Sequence, residues 1–269
     1  MPGPERTDTW DARTYLRFAD ERARPFFDLL ARVGAIDPTH VVDLGCGNGA
    51  GLAELARRWP AADLVGVDSS ADMLAAAGTE LGPDPDVTLI RADAQSWTPP
   101  AAVDVLVSNA LLQWIPDHAD LLSKMAGWLA PGGWLAMQVP GNFEAPSHTL
   151  LRELAESPQW THSLQGVLRG ADSVLDSAGY FRILTDADLN VDAWETTYLH
   201  VLTGPDPVLQ WASGTALRPV LAVLENSEAQ QFSHQYAERL RAAYPADGAG
   251  RVVFPFRRIF AVGRKGVAA

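Results

Sequence analysis

VVDLGCGNGAG, at residues 41–51, is the most informative stretch of this sequence. A short apolar run ends there in an acid and a glycine, and the helix-like GLAELARRW follows and stops at Pro60. The order predicts a strand, a tight turn and a helix. Gly45, Gly47 and Gly49 permit tight turning and close approach of a ligand to the backbone. Taken alone, the loop is equally compatible with an ordinary strand-to-helix turn.

The spacing of these glycines narrows the kind of ligand. It is G-x-G-x-G rather than the G-x-G-x-x-G of a dinucleotide site, and no Lys-Ser or Lys-Thr pair follows, which excludes a phosphate-binding P-loop. Asp43 precedes the turn, where an acid would repel a pyrophosphate but would suit a cationic ligand with an amino group.

The alternation of strand and helix continues beyond the loop. Apolar runs recur as LVGVD (64–68), VTLIRAD (87–93), VDVLVSN (103–109) and WLAMQVP (134–140), with helical stretches such as SSADMLAAAG and LLSKMAGWLA between them. Strands that alternate with helices in short units predict an α/β fold with a parallel, doubly wound sheet.

The segments on either side of this core do not show the regular alternation of strand and helix. Residues 11–33 have helical spacing, and after Pro140 the helical stretches SHTLLRELAE and VLRGADSVLDSAG predict a cap without strands. DAWETTYLHVL (192–202) and RVVFPFRRIFAVGRK (251–265) predict the last strands, with helices between them. Pro255 suggests an edge strand or a bulge.

These patterns divide the chain into four segments. They are a helical cover at 1–35, a ligand-binding core at 36–140, a helical cap insertion at 141–190, and the remainder of the core sheet with a helical excursion at 191–265.

Composition disfavours several classes of protein. Of 269 residues, 33 are acidic and 21 basic, which gives a formal charge of -12 and argues against binding of a nucleic acid backbone. Cys46 is the one cysteine, so neither an internal disulfide nor a zinc cage is expected, and no metal is predicted. The sequence shows no leader and no apolar run of about 18 residues, so a cytoplasmic protein without membrane contact is expected.

Polar residues follow successive strands of the predicted sheet. Asp68 ends the second strand, where an acid can accept hydrogen bonds from ribose hydroxyls. Asp93 follows the third strand, where it can accept from the exocyclic amine of an adenine, and Asn109 ends the fourth. Each has a plain alternative, since Asp and Asn commonly end strands and cap helices. Together they lie on one edge of the sheet, where open α/β folds bind ligands.

With these motifs the chain resembles the class I S-adenosylmethionine-dependent methyltransferases. DLGCGNG, GVDSS, ADAQSW and LAPGGWL correspond to successive motifs of that class. The chain is more similar still to the trans-aconitate methyltransferases, through YLRFADERARP, SNALLQWIPDH, WETTYLHVL, TALRP and FPFRRIFAVGRK. The resemblance implies a Rossmann-like fold with a mostly parallel seven-stranded sheet, helices on both faces and a helical cap.

The resemblance also implies a set of cofactor contacts. Gly45, Gly47 and Gly49 would approach the methionine part of S-adenosylmethionine, Asp68 the ribose, and Asp93 the adenine. The complete set of residues expected around the cofactor is Tyr15, Arg24, Asp43, Gly45, Gly47, Gly49, Asp68, Ser69, Met73, Asp93, Ala94 and Asn109.

The implied reaction is esterification of one carboxylate of trans-aconitate or a related small polycarboxylate. Carboxylic acids titrate near pKa 4, so the nucleophile is already ionised and no catalytic base is expected. The enzyme must align the reacting atoms and hold the remaining carboxylates, for which an arginine fork is well suited. Candidates for holding these carboxylates are Tyr198, His200, Arg218, and either Arg257 or Arg258, which are expected on opposite faces of a strand. Gln113 and Trp114 follow the fourth strand, where this fold brings the acceptor next to the methyl group, and Trp114 is the candidate for an apolar wall.

Two alternatives stay open. One is a methyltransferase that acts on a hydroxyl or amine of another small molecule, which would usually need a base. The other is a cofactor-binding protein without catalytic activity.

Overall fold

The fold is built on a seven-stranded sheet. The structure, a computed structural model, describes residues 19–82, 87–168, 170 and 173–267. The strands are β1 His40–Leu44, β2 Asp63–Asp68, β3 Val87–Arg91, β4 Val103–Asn109, β5 Leu129–Pro140, β6 Leu189–Leu202 and β7 Val252–Lys265. Their order in the sheet is β3-β2-β1-β4-β5-β7-β6.

The first five strands run parallel, and β7 runs antiparallel to β5. The predicted doubly wound, mostly parallel sheet is therefore confirmed. Because the order reverses at β1 and β4, the carboxyl ends of these two strands flank the crevice where such sheets bind ligands. Pro255 predicted an edge strand or a bulge. β7 as a whole lies between β5 and β6 and is not an edge strand. Pro255 lies beyond the last pair of the β5 register, Pro140 with Arg258, where no ladder bond to β5 is needed.

Ten α-helices connect or flank the strands in the described part of the chain. They are α1 Ala19–Leu30, α2 Ala50–Arg58, α3 Ala71–Leu81, α4 His118–Gly127, α5 Pro146–Ala155, α6 Thr161–Leu164, α7 Ser177–Asp186, α8 Pro207–Ser213, α9 Arg218–Val223 and α10 Asn226–Ala243. A short 3-10 helix, Leu112–Trp114, follows β4.

The helix predicted at VLRGADSVLDSAG begins later than its periodicity suggests. The side chain of Asp176 accepts a hydrogen bond from the backbone N–H of Gly179 at 2.7 Å, which starts α7 at Ser177. Leu175 therefore precedes the helix. The stretch DPVLQWASGTALRPVLAVL is helical and forms two helices, α8 and α9, with a turn between them.

The two faces of the sheet differ in chemistry. Paired residues on neighbouring strands share a face, and successive residues alternate. One face packs against α4 and α7 in an apolar core that includes Val42, Leu44, Leu106, Met137, Val139, Ile259, Tyr180 and Leu184. Register places Asp43, Asn109 and Gln138 on the opposite face, through the pairs Asp43 with Val107 and Asn109 with Gln138.

The chain forms two compact units. The sheet unit contains Arg24–Gly141, Ser173–Thr196 and Arg257–Ala269. The described residues of the second unit lie within Met1–Ala23, Asn142–Asp172 and Thr197–Phe256. The expected cap at 141–190 thus ends too late, because α7 buries Tyr180 and Leu184 in the core of the sheet unit.

Aromatic packing holds the second unit together. Trp211 lies 5.7 Å from Phe254 and 5.4 Å from Phe256 between ring centroids. The hydroxyl of Tyr236 donates to the backbone oxygen of Ser147 at 2.5 Å, which ties α10 to α5. This unit therefore has a hydrophobic core of its own.

Candidate active site

The glycine loop between β1 and α2 turns through left-handed backbone. Gly45, Gly47 and Gly49 have φ angles of 83°, 54° and 83°. A Cβ on Gly45 would lie 2.8 Å from the Cβ of Leu111, and one on Gly49 would lie 2.9 Å from the Cα of Ala77. A Cβ on Gly47 would meet nothing within 4 Å. Two glycines thus allow close packing within the protein, and Gly47 is the one with open space for a ligand.

Asp68 fixes the shape of this loop from the end of β2. Its Oδ2 accepts from the backbone N–H of Gly47 at 3.0 Å, and its Oδ1 accepts from that of Ser70 at 2.8 Å. A carboxylate has about four acceptor positions, so each oxygen can accept a further bond from a ligand hydroxyl. The structure therefore brings two predicted residues, Gly47 and Asp68, into contact.

Asp43 is a buried acid beside the loop. It is 3% exposed, and burial, with a smaller contribution from the nearby charge of Asp68, raises its pKa to about 7. Cys46, inside the loop, has a raised thiol pKa because it is buried and close to the same two acids. The cysteine is therefore not an activated thiol, whereas the two carboxylates form an acidic site that favours a positively charged ligand.

The ends of β3 and β4 complete this edge of the sheet. Asp93 is exposed, and its Oδ1 accepts from the backbone N–H of Gln95 at 2.8 Å, while the neighbouring Ala94 is buried. Asn109 has a buried Oδ1 with no hydrogen-bond partner among the described residues. Ser69 is exposed, and Met73 is half-buried in the first turn of α3. A buried oxygen without a partner, such as Oδ1 of Asn109 among the described residues, is a common sign of a ligand site.

The turn after β4 is strained and tightly held. Ala110 has φ 58°, which is unusual for a residue with a Cβ. Its N–H donates to the backbone oxygen of Gln138 at 2.8 Å, and its oxygen accepts from Nε2 of Gln113 at 2.5 Å. Gln113, predicted as a substrate ligand, therefore braces this turn with its amide nitrogen. Trp114 is 52% exposed.

The two arginines of β7 point to opposite faces, as predicted. Arg257 forms two hydrogen bonds with Glu195, at 2.8 and 2.7 Å, and this pairing lowers the pKa of the Glu195 carboxyl. Arg258 is 7% exposed, and its Nη1 donates to Oε1 of Gln138 at 3.4 Å. Of the two, Arg258 lies on the sheet face that carries Asp43 and Gln138.

The other predicted substrate residues belong to the second unit. Tyr198 and His200 are buried, with ring centroids 6.3 Å apart, and His200 stacks on Trp211 at 4.8 Å. Arg218 is half-buried and opens α9. Two of the cofactor predictions concern the N-terminal segment: Tyr15 lies outside the described residues, and Arg24 is exposed on α1.

Comparison with known proteins supplies the family. Residues 41–133 match the model of a methyltransferase domain. A trans-aconitate 2-methyltransferase of Streptomyces avermitilis is 51% identical over 97% of this chain and 99% of that protein. The enzyme of the same name from Streptomyces coelicolor is 52% identical over 97% of this chain and 88% of its own. The chain belongs to the trans-aconitate 2-methyltransferase family.

Solved structures agree on the fold of this trans-aconitate 2-methyltransferase family member. The YcgJ protein of Bacillus subtilis covers 93% of the chain with a TM-score of 0.59 and 13% identity. A phosphoethanolamine N-methyltransferase 2 of Haemonchus contortus, solved with S-adenosyl-L-methionine, covers 90% with a TM-score of 0.56 and 19% identity, and the match spans 52% of that protein. The chain therefore has the Rossmann-like fold of class I methyltransferases. No helix in the described residues is long and apolar enough to span a membrane.

One residue at this edge of the sheet was not predicted from the sequence. Gln138 is a buried amide at the carboxyl end of β5, next to Asn109 in the register. A polar residue inside the apolar run WLAMQVP was the available signal.

Proposed function

We propose that the protein transfers a methyl group from S-adenosylmethionine to one carboxylate of trans-aconitate and forms a monomethyl ester. The observation that carries this proposal is identity of about half the residues, along nearly the whole chain, to enzymes named trans-aconitate 2-methyltransferase.

The edge of the sheet fits the cofactor. Above Gly47 there is open space, Asp68 has acceptor capacity left, and Asp43 adds negative charge beside the loop. When bound, S-adenosylmethionine would supply an electrophilic methyl group on a sulfonium. The residues proposed to hold it are Gly45, Gly47, Gly49, Asp43, Asp68, Ser69, Met73, Asp93, Ala94 and Asn109, with Arg24 toward its carboxylate and Tyr15 as a cover.

The proposed reaction requires the protein to align the reacting atoms and does not require a catalytic base. An acceptor carboxylate is ionised at neutral pH, so no proton has to be removed before attack. The one His–Asp pair of β1 and β2, His40 with Asp63 at 3.9 Å, lies at the amino ends of these strands, away from the glycine loop. Holding the acceptor in line can lower the barrier by roughly 7 to 11 kcal/mol in the best intramolecular cases.

The acceptor is proposed to be held by hydrogen-bond donors and an apolar wall. Arg258 and Arg218 are the proposed cations, with Tyr198 and His200 as polar contacts and Trp114 as the wall. Gln113 contributes by bracing Ala110.

A single cysteine without an internal disulfide partner supports a cytoplasmic location.

Turnover is the direct test. Protein, S-adenosylmethionine and trans-aconitate should give a new monomethyl ester and S-adenosylhomocysteine by mass spectrometry. Absence of product with a panel of di- and tricarboxylates would refute the proposal.

A variant of Arg218 tests the mode of acceptor binding. Arg218→Ala should lower kcat/KM for trans-aconitate by about 10-fold or more, because a charge-assisted hydrogen bond is lost. Its affinity for S-adenosylhomocysteine should be unchanged. Arg152→Ala, a half-buried arginine of α5, is the matched control and should leave both constants as they are.

A further inference from the structure

Gln138 carries a buried donor that the structure leaves available. The residue is 1% exposed, and its Nε2 has no hydrogen-bond partner within residues 19–82, 87–168, 170 and 173–267. Burial of an amide nitrogen without a partner is costly, and proteins keep such groups chiefly where a ligand or a water completes the bond. The position therefore needs an explanation outside the fold itself.

Arg258 determines the orientation of the side-chain amide of Gln138. A guanidinium has N–H donors and no acceptor, so only Oε1 of Gln138 can face it. The contact of 3.4 Å from Nη1 of Arg258 to Oε1 of Gln138 has this orientation. The Nε2 group therefore does not face Arg258 and is left, among the described residues, as an unpaired hydrogen-bond donor close to a positive charge.

The face of the sheet that carries Gln138 is apolar on one side of it and polar on the other. Its register partner on β7 is the buried Phe260, which stacks on Trp194. Asn109, its register partner on β4, has a buried Oδ1 that also lacks a partner in the described part of the chain. Arg258 pairs with Pro140, two residues along β5, and so projects from the same face. The apolar core lies on the other face, where Met137 and Val139 project. Two incomplete polar groups and a cation therefore lie on one face near the carboxyl ends of β4 and β5, the edge at which this fold binds its ligands.

We propose that Gln138 is a specificity-determining residue that donates Nε2–H to a carboxylate oxygen of the acceptor, next to the guanidinium of Arg258. An N–H donor beside a cation is complementary to a carboxylate. The proposal deepens the proposed function and rests on it, since it assigns a further contact to the polycarboxylate.

Two variants test this contact. Gln138→Leu removes the donor and should raise KM for trans-aconitate about 10-fold to 100-fold, as expected for loss of a hydrogen bond to a charged group. Gln138→Glu keeps the shape but places a carboxylate against Arg258, so it should raise KM at least as much through like-charge repulsion of the acceptor. Both should bind S-adenosylhomocysteine within about twofold of the unchanged protein, in contrast to a variant that disturbs the whole edge.

Ser108→Ala is the matched control. Ser108 precedes Asn109, is fully buried and has an Oγ without a partner among the described residues, but its register partner Met137 puts it on the apolar face. Its removal should leave KM for trans-aconitate unchanged.

The outcomes are distinct. An acceptor KM within twofold of the unchanged protein in Gln138→Glu, folded as judged by its melting curve, would overturn the proposal even if Gln138→Leu failed to fold. Weaker binding of S-adenosylhomocysteine with an unchanged acceptor KM would assign the donor to the cofactor's carboxylate instead and would also overturn it. Failure of the unchanged protein to methylate any polycarboxylate would refute the proposed function, which is a different result.

Discussion

The backbone N–H of Gly47 donates to Oδ2 of Asp68 over 3.0 Å, and this bond joins the glycine loop of β1 to the end of β2. One carboxylate thus shapes the loop and keeps acceptor positions for a ligand. Loss of Asp68 should therefore affect binding through both roles.

Asp68→Ala should weaken binding of S-adenosylhomocysteine by about 100-fold or more, because hydrogen bonds from two ribose hydroxyls to a charged acceptor are lost. Isothermal titration calorimetry measures this directly. Asp63→Ala, at the exposed start of the same strand, is the control and should bind normally. Equal affinity in the Asp68 variant would exclude its carboxylate from the site.

Gly49→Ala and Gly47→Ala should fail in different ways. At Gly49 a methyl group would lie 2.9 Å from the Cα of Ala77 in backbone with φ 83°, so we expect a loss of about 2 to 5 kcal/mol of folding stability. At Gly47 the space is open, so the loss should be only the backbone strain of about 1 to 2 kcal/mol. Urea unfolding separates the two.

The Gly47→Ala variant should differ from the unchanged protein mainly in cofactor binding. The methyl group of Gly47→Ala occupies the space proposed for the ligand, so this variant should fold and yet bind S-adenosylhomocysteine poorly. Normal binding by this variant would show that the ligand does not approach Gly47.

Binding of S-adenosylmethionine should strengthen between pH 6 and pH 8. Asp43, with a pKa of about 7, becomes negatively charged over this range and then attracts the sulfonium. Calorimetry at pH 7 in two buffers of different ionisation enthalpy should detect release of a proton on binding. Asp43→Asn should bind more weakly at pH 8 and show neither effect. A pH dependence that persists in Asp43→Asn would point to another group.

The same acid should make folding of the ligand-free protein pH-dependent. The pKa of Asp43 in the folded state exceeds its ordinary value of 3.8, so its contribution to stability is complete below pH 4 and is lost as the pH rises through 7. The loss is up to about 4 kcal/mol for a shift of three units. Urea titrations should show that Asp43→Asn is more stable than the unchanged protein. The difference in free energy of unfolding between the two should be larger at pH 8 than at pH 5. An equal difference at the two pH values would contradict the raised pKa.

Ala110→Gly should stabilise the fold slightly. A glycine adopts φ 58° without the steric cost that alanine has, and part of that gain is offset by its freedom in the unfolded chain, which leaves about 0.5 to 1 kcal/mol. Ala75→Gly, at an exposed interior position of α3, should have the opposite sign, with a loss of about 1 kcal/mol. Destabilisation by Ala110→Gly in urea unfolding would show that the turn is not strained.

Local sequence patterns predicted the glycine loop after β1 and the position of Asp68 at the end of β2. Gly45, Gly47, Gly49 and Asp68 follow from strand, turn and helix order, because each sits at a fixed offset from its strand. The position of Gln138 beside Asn109 and on the face of Arg258 did not follow, because it depends on the register of β5 against β4 and β7, which joins residues far apart in the chain. The position of α7 was missed for a similar reason, since Tyr180 finds its partner, His118, at 2.9 Å across 62 residues.

The close approach of Gly49 to Ala77 has a consequence for how this enzyme can diverge. A larger side chain at position 77 would push α3 away from the loop. No substitution at position 49 could compensate, because no residue is smaller than glycine. Sequence drift at Ala77 should therefore be as restricted as at Gly49, even though Ala77 has no proposed contact with either ligand. A library randomised at both positions and selected for folded protein should recover small residues at the two sites together.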